Sequence, residues 1–155
     1  MHPLGLKDTV FTLSPEQKKR VATGYEEGRG ISPFLSEKIY SIFIGSGGLY
    51  STAKDMFTFL SFNIVKDMTS LNAILPIIQT SYHSFKEFDM GLGWKISSFP
   101  NRLKNFFHLS GTLFGFGMYM GMIPDQEIGV VVLMNNGDHD PEDLGKEILR
   151  ILSTL

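Results

Sequence analysis

Two short stretches of this 155-residue sequence carry residue types at spacings that acyl-transfer chemistry uses. Ser51-Thr52-Ala53-Lys54 opens a segment of helical periodicity. Lys54 then falls one turn from Ser51, where an amine can take the proton of an attacking hydroxyl. A helix also wants a capping oxygen at that position. In that reading Ser51 is an N-cap accepting from the N–H of Ala53 or Lys54, a role that competes with nucleophilic attack. Ser61-Phe62-Asn63 lies on the same helix, at a spacing that fits ordinary surface positions. The second stretch is His108-Leu109-Ser110-Gly111-Thr112. Beside Phe106 and Phe107, the lone imidazole of His108 is either a weak catalytic candidate or a packed or edge residue of a strand. His2, His83, His108 and His139 are scattered without ligand spacing, so neither a metal nor a cofactor is expected.

The elements that must position these residues follow from periodicity. Phe106 to Asn136 reads as two apolar strands flanking a Pro124-Asp125-Gln126-Glu127 turn. Phe116, Met118, Met120 and Met122 share one face of the first; Gly117, Tyr119, Gly121 and Ile123 share the other. The glycines leave room for something packed closely against that face. The unbroken run Val130 to Leu133 predicts a central strand covered on both sides. Upstream, Ser14-Pro15-Glu16-Gln17 is a capping box opening a helix to about Thr23, stopped by Gly24. Gly28 to Ser36 reads as loop, and Gly45 to Gly48 as a tight turn. Ala53, Met56, Phe57, Leu60 and Ile64 recur at helical spacing over about 13 residues. A helix over Ser70–Tyr82 should kink or break at Pro76. Phe88 to Ile96 alternates as a strand. Asp140 should cap a last helix, acids in its first turn, whose stripe Leu144, Ile148, Ile151, Leu152 and Leu155 lies across the sheet.

Composition removes several classes. Hydrophobic content of 43% with 19% charged residues marks a globular chain, not a disordered one. Net charge of -2, with no basic cluster interleaved with aromatics, argues against nucleic acid. Lys18-Lys19-Arg20 reads as a solvated helix face. The absence of cysteine excludes disulfides and thiol chemistry without fixing a compartment. No apolar run is long enough for a membrane span, and no signal peptide is read at the start of the sequence.

Four stretches, in order over nearly the whole chain, resemble a known family. They are Pro3-Leu4-Gly5-Leu6-Lys7-Asp8-Thr9, Gly45-Ser46-Gly47-Gly48-Leu49-Tyr50-Ser51-Thr52-Ala53-Lys54-Asp55-Met56, Gly91-Leu92-Gly93-Trp94, and the run from His108-Leu109-Ser110-Gly111-Thr112 through Ile123-Pro124-Asp125 to Gly129-Val130-Val131-Val132-Leu133-Met134-Asn135. Together they resemble the C-terminal half of serine β-lactamases of class C, low-molecular-weight penicillin-binding proteins and related D-Ala carboxypeptidases and esterases. The resemblance implies an α/β fold of the α+β type: antiparallel strands packed by a C-terminal helix, with helices of the family's helical subdomain. It implies one partial domain over 1–155, mostly helix and loop over 1–85, with sheet strands and the C-terminal helix over 86–155.

For chemistry, the resemblance implies acyl-enzyme hydrolysis of a β-lactam, a D-Ala peptide or an ester. The family's Ser-x-x-Lys nucleophile and Tyr-x-Asn loop would precede this chain, which is therefore expected to be inactive alone. It places Ser51 in a structural helix. It aligns Leu109-Ser110-Gly111 with the family's Lys-Thr-Gly strand, so Leu109 stands where the cation belongs and His108 is one residue early, on the opposite strand face. Ser110, Gly111 and Thr112 would line the acyl pocket and oxyanion hole, and Asn135 would stand near the substrate carboxylate or serve as a turn residue. The alternative is a non-catalytic remnant that binds a ligand or partner. The strand equivalent to Ile128–Asn136 would pair in the family with an N-terminal strand. Its open edge here would favour a homo-oligomer or docking of the missing half. Family members are commonly periplasmic or secreted; this sequence leaves the compartment unassigned.

Overall fold

Alternation of large and small side chains makes the C-terminal portion a meander, in a computed structural model that describes residues 3–32, 44–65, 70–99 and 105–155. In chain order the elements are helix α1 (Pro15–Lys18), strands β1 (Gly24–Glu26) and β2 (Arg29–Ile31), helix α2 (Ala53–Ile64), the short helix α3 (Leu75–Ile78), strands β3 (His83–Ser84), β4 (Asp89–Met90), β5 (Lys95–Ser98), β6 (Asn105–Leu113), β7 (Phe116–Ile123) and β8 (Ile128–Met134), and helix α4 (Glu142–Leu152). Strands β3 to β8 form one six-stranded antiparallel sheet in sequence order, and β1–β2 a separate hairpin. Strands β6 and β7 are joined by Phe114 and Gly115, both at positive φ (48° and 77°), the two-residue turn whose twist matches antiparallel strands.

The two faces of the sheet hold different cores. On one, Phe106, Tyr119, Ile123 and Val130 pack against Leu149 of α4. On the other, Trp94, Met120 and Met122 pack against Leu60 of α2, with Phe107, Leu109, Met118 and Val131 joining them. The alternation read along 116–123 is therefore realised. Its glycine side is where α4 comes closest: a Cβ on Gly117 would stand 3.0 Å from Pro141, and one on Gly145 would collide with the Tyr119 ring. Hairpin β1–β2 seats on the β6–β7 turn. A Cβ on Gly24 would lie 2.6 Å from the Phe114 carbonyl, and Tyr25 N donates to Gly115 O at 3.0 Å.

Several elements depart from the sequence expectations. The capping box forms, with Ser14 Oγ accepting from Gln17 N and Gln17 Oε1 from Ser14 N. The helix nonetheless ends at Lys18, and Gly24, expected as its stop, begins β1, where only a glycine fits beneath Phe114 and Gly115. Part of the expected loop is the hairpin β1–β2, turned through Glu27 and Gly28 at positive φ; residues 33–36, like His2, lie outside the described residues. The 70–82 helix is a 3₁₀ turn (Ser70–Ile74) followed by the four-residue α3, in which Pro76 occupies the first turn, where its missing N–H costs nothing. The 88–96 strand is two short strands about a turn, Gly91 N donating to Trp94 O, with Gly93 at φ 81°.

At the C-terminal end, Asp140 Oδ1 accepts from Glu142 N at 2.9 Å, but helical backbone starts after Pro141, not after Asp140. Of the stripe expected on α4, Ile148 and Leu152 do pack against the core around Tyr119, but the fully buried face is rotated from the one expected. Leu149 and Gly145 are buried, whereas Leu144 and Ile151 are about half exposed (52% and 47%) and Leu155 is 98% exposed. A glycine contributes no hydrophobic signal, so its burial under Tyr119 was invisible to periodicity. Strand β8 is covered by α2 and α4, but among the described residues it pairs only with β7 and is an edge, not central. Its unbroken apolar run reflects helices on two sides. No helix among the described residues is long and apolar enough to cross a membrane.

The Gly145–Tyr119 approach predicts that Gly145→Ala lowers stability by about 1–3 kcal/mol through overpacking, despite the better helix propensity of alanine. Leu144→Ala, half exposed on the same helix, should stay within about 0.5 kcal/mol. Urea unfolding of the two variants beside wild type checks both.

Candidate functional site

The site begins with an interruption in the ladder. Strand β5 pairs with β6 only from Asn105 to His108, ending at Lys95↔His108. Strand β7 pairs with β6 from Phe107 to Leu113 without a bulge. Among the described residues, Leu109–Leu113 therefore has one bare edge, offering backbone groups to whatever lies beside it. Gly111 and Thr112 are exposed there, Leu109 and Ser110 half-buried. Leu109 packs into the α2-side core.

His108 and Ser110 belong to the α4 side. His108 is 1% exposed, its Nε2 3.1 Å from Ser97 Oγ. Its Nδ1 faces Glu142 Oε1 at 3.9 Å and has no hydrogen-bond partner among the described residues. The hydroxyl of Tyr119, stacked on the same imidazole with centroids 6.1 Å apart, is likewise buried without a partner among them. Burial holds His108 well below the usual imidazole range, at about 4, with Lys146 and Lys95 adding to the depression and Glu142 opposing it. Burial raises the Tyr119 hydroxyl above its ordinary value. Because the register is regular, the imidazole stays on the face opposite Leu109 and does not take the cation's place on the edge.

Ser110 donates to Glu142 Oε2 at 2.5 Å, and Asp140 Oδ2 lies 3.5 Å from the same hydroxyl. Glu142 also receives Lys95 at 3.3 Å and pairs with Lys146 one turn along α4. Burial pushes the Glu142 carboxyl up, but Lys146, Ser110 and Lys95 outweigh it and hold it at about 2. Glu142 is thus an ionised hub, a hydrogen-bond acceptor and no base near neutral pH. Sequence reasoning missed it. Its acidity was legible as a complement to the helix dipole, but its reach to β6 needs α4 laid across the sheet.

The Ser-x-x-Lys stretch is differently occupied from either reading of it. The N-cap of α2 is Thr52, whose Oγ1 accepts from Asp55 N at 3.2 Å, not Ser51. Ser51 Oγ lies 2.9 Å from Thr9 Oγ1. The buried carboxylate of Asp55 accepts from Asp8 N at 2.7 Å and Thr9 Oγ1 at 2.9 Å. Two of the motif stretches read from the sequence, 3–9 and 45–56, are therefore one tertiary clamp, reinforced by the Val10–Tyr50 bridge. Lys54 is exposed, and Asn63, expected at the surface, is buried with its Nδ2 donating to Phe59 O at 2.8 Å. Asn135 Nδ2 donates to Thr23 O at 3.2 Å. It follows Met134, which lies across β7 from Thr112 through Gly117, so about 10 Å of sheet separates it from the bare edge. No group of three or more His, Cys, Asp or Glu among the described residues is arranged to hold a metal ion.

A family model described as Beta-lactamase matches residues 1–154. The D-alanyl-D-alanine-carboxypeptidase/endopeptidase AmpH of Escherichia coli (strain K12) is 30% identical over 145 residues, covering 85% of this chain and 36% of that protein. A β-lactamase of the same organism is 26% identical over 188 residues, covering 97% of this chain and 48% of that one. Among solved structures, a class C β-lactamase from Rhodobacter sphaeroides superposes with a TM-score of 0.77 at 19% identity, over 98% of this chain and 51% of that one. A β-lactamase/D-alanine carboxypeptidase from Pseudomonas syringae does so with a TM-score of 0.77 at 20% identity, over 97% and 50%. The fold is thus the mixed α/β one of these structures, antiparallel sheet and C-terminal helix included. The chain spans less than half of the length of these two curated relatives.

Two outcomes follow from this geometry. His108 binds a proton near pH 4 when folded and near 6.5 when unfolded. Between those values the unfolded chain holds more protons at this position, so stability rises with pH there. The contribution, about 3 kcal/mol at most, is complete above about 6.5 and lost as pH falls toward 4. Urea midpoints over that window should climb in wild type and climb less in His108→Gln. In the clamp, Asp55→Ala should cost about 3 kcal/mol by leaving Asp8 N and Thr9 Oγ1 without their acceptor, against about 1 kcal/mol for Ser51→Ala. Thermal unfolding checks the ranking.

Proposed function

The chain belongs to the β-lactamase family, and from that premise we propose that it forms part of a serine hydrolase working through an acyl-enzyme on a β-lactam, a D-Ala peptide or an ester. The observation that carries this reading is the bare edge of β6 at Leu109–Leu113. An extended acyl group laid along it gains backbone hydrogen bonds, and the N–H of Thr112 is available to stabilise a developing oxyanion. Gly111 lets the substrate backbone come close. The family's cation is replaced by Leu109, which favours an ester or peptide over a ligand recognised through its carboxylate.

We place the nucleophile, its lysine and the Tyr-x-Asn pair in sequence beyond these residues. In support, Ser51 is tied to Thr9 and Ser110 to Glu142, and no tyrosine of this chain is followed two residues later by asparagine. The same engaged serines favour a second reading, a non-catalytic domain that binds a ligand along β6. The edge of β8, paired only with β7 among the described residues, is where we place a further strand from the rest of the domain or from a second copy.

Acylation by a fluorescent penicillin and by a fluorophosphonate, read by intact mass, tests the assignment on the 155-residue chain beside Ser51→Ala and Ser110→Ala. No adduct on this chain, with labelling of a serine outside it in the product of the complete reading frame, is the expected result. An adduct lost in Ser51→Ala would make the chain a minimal enzyme and overturn the placement of the nucleophile. No labelling of the complete product would favour the non-catalytic reading.

A further inference from the structure

We propose that Glu142 sets the charge of the ligand taken along Leu109–Leu113, turning away anions and admitting an uncharged ester or amide. The inference rests on the reading of that edge as a ligand-binding strand. Its grounds are electrostatic. The hydroxyl of Ser110, in the middle of the bare segment, is spent on Glu142 Oε2 at 2.5 Å, with Asp140 Oδ2 at 3.5 Å. Lys95 and Lys146, which reach this part of the strand from β5 and α4, both end on Glu142. Leu109 supplies no charge, and His108 is buried and neutral near pH 7. A carboxylate brought to the edge would meet two carboxylates and, among the described residues that reach this part of the strand, only ammonium groups already paired with Glu142. A neutral acyl group would meet Leu109, Gly111, Thr112 and backbone.

The arrangement is built, not incidental. Asp140 caps the N–H of Glu142, and the Gly117–Pro141 approach brings the start of α4 down onto β7. Glu142 thereby occupies the place that an incoming carboxylate would need, an internal anion already held by one hydroxyl and two ammonium groups. While Glu142 holds its hydroxyl, Ser110 positions Glu142 and does not touch the ligand; only when Glu142 is replaced is that hydroxyl released toward it.

A matched pair of probes reads the charge preference directly: N-acetylalanine methyl ester and N-acetylalanine, titrated into the ¹⁵N-labelled chain while the amides of 109–113 are followed by NMR. The ester should bind at least about tenfold more tightly than the acid, and raising salt from about 0.02 to about 0.5 M should narrow that ratio by screening the repulsion. Glu142→Gln should narrow it further by strengthening the acid, and adding Ser110→Ala should remove part of the gain, because the released hydroxyl is one of the groups that takes the acid. Equal or tighter binding of the acid, or a ratio indifferent to salt, overturns the inference while leaving the edge as a binding strand. If neither probe moves those amides, the edge reading fails and the inference with it.

Discussion

The approach of α4 to the glycine-bearing face of β6 and β7 is the constraint on which the rest depends. Helices normally stand off a sheet by the length of their side chains. Here Gly145 lies directly on the Tyr119 ring, Pro141 beside Gly117, and the Tyr119 hydroxyl folds over Gly121. Three backbone positions without a Cβ, on two elements, bring the start of α4 within reach of a serine on β6. Leu149 then closes the same interface with Phe106, Ile123 and Val130. Dispersion and apolar burial hold the contact, and the polar groups caught inside it inherit its geometry.

Strand parity does the rest. Neighbouring residues of β6 face opposite layers, so His108 and Ser110 are committed to the α4 side and Leu109 to the α2 side, with no bulge to exchange them. Ser110 and Leu109 can both belong to one site only through the strand's edge, which lies in the plane between the layers. Among the described residues that edge is bare, because β5 stops opposite His108. The chemistry open to the segment is therefore chiefly that of backbone N–H and C=O groups, tuned by the charges that α4 places beside it.

Much of this was legible in the sequence, for physical reasons that differ by element. Strands β7 and β8 could be read because period-two alternation and the Pro-Asp turn between them are local, strong signals, whereas the split of the first apolar run into β6 and β7 at Phe114–Gly115 was not read. Helix α2 could be read because its apolar spacing is regular. The lost features are those whose signal is an absence or a distant partner. Gly145 has no side chain to mark the buried stripe of α4, and Gly24 reads as a helix stop when its role is to sit under a turn some ninety residues away. Asp55 reads as an ordinary first-turn acid until Asp8 and Thr9 are seen to converge on it. Of the site, the strand and its residue types were visible, while the hub at Glu142 was not, since nothing local distinguishes it from Asp143 beside it. Asn135 shows the converse: a residue singled out by likeness, whose observed bond is to the loop carbonyl of Thr23.

The two serines at suggestive spacings teach how such patterns are to be weighed. A hydroxyl can attack only if its oxygen is unspent and a base stands on its proton side. Ser51 shares its hydroxyl with Thr9, one of the groups that join the N-terminal segment to α2, while the lysine three residues on is at the surface. Ser110 does stand on a carboxylate at hydrogen-bond distance, which looks like the start of a catalytic pair. Glu142 is held at about 2, however, by the same lysines that fix its position, so it binds the proton too weakly to abstract one near neutral pH. Lys95 and Lys146 are thereby spent in keeping a protein carboxylate ionised. Geometry makes Ser110 resemble a nucleophile, and electrostatics makes it a strut.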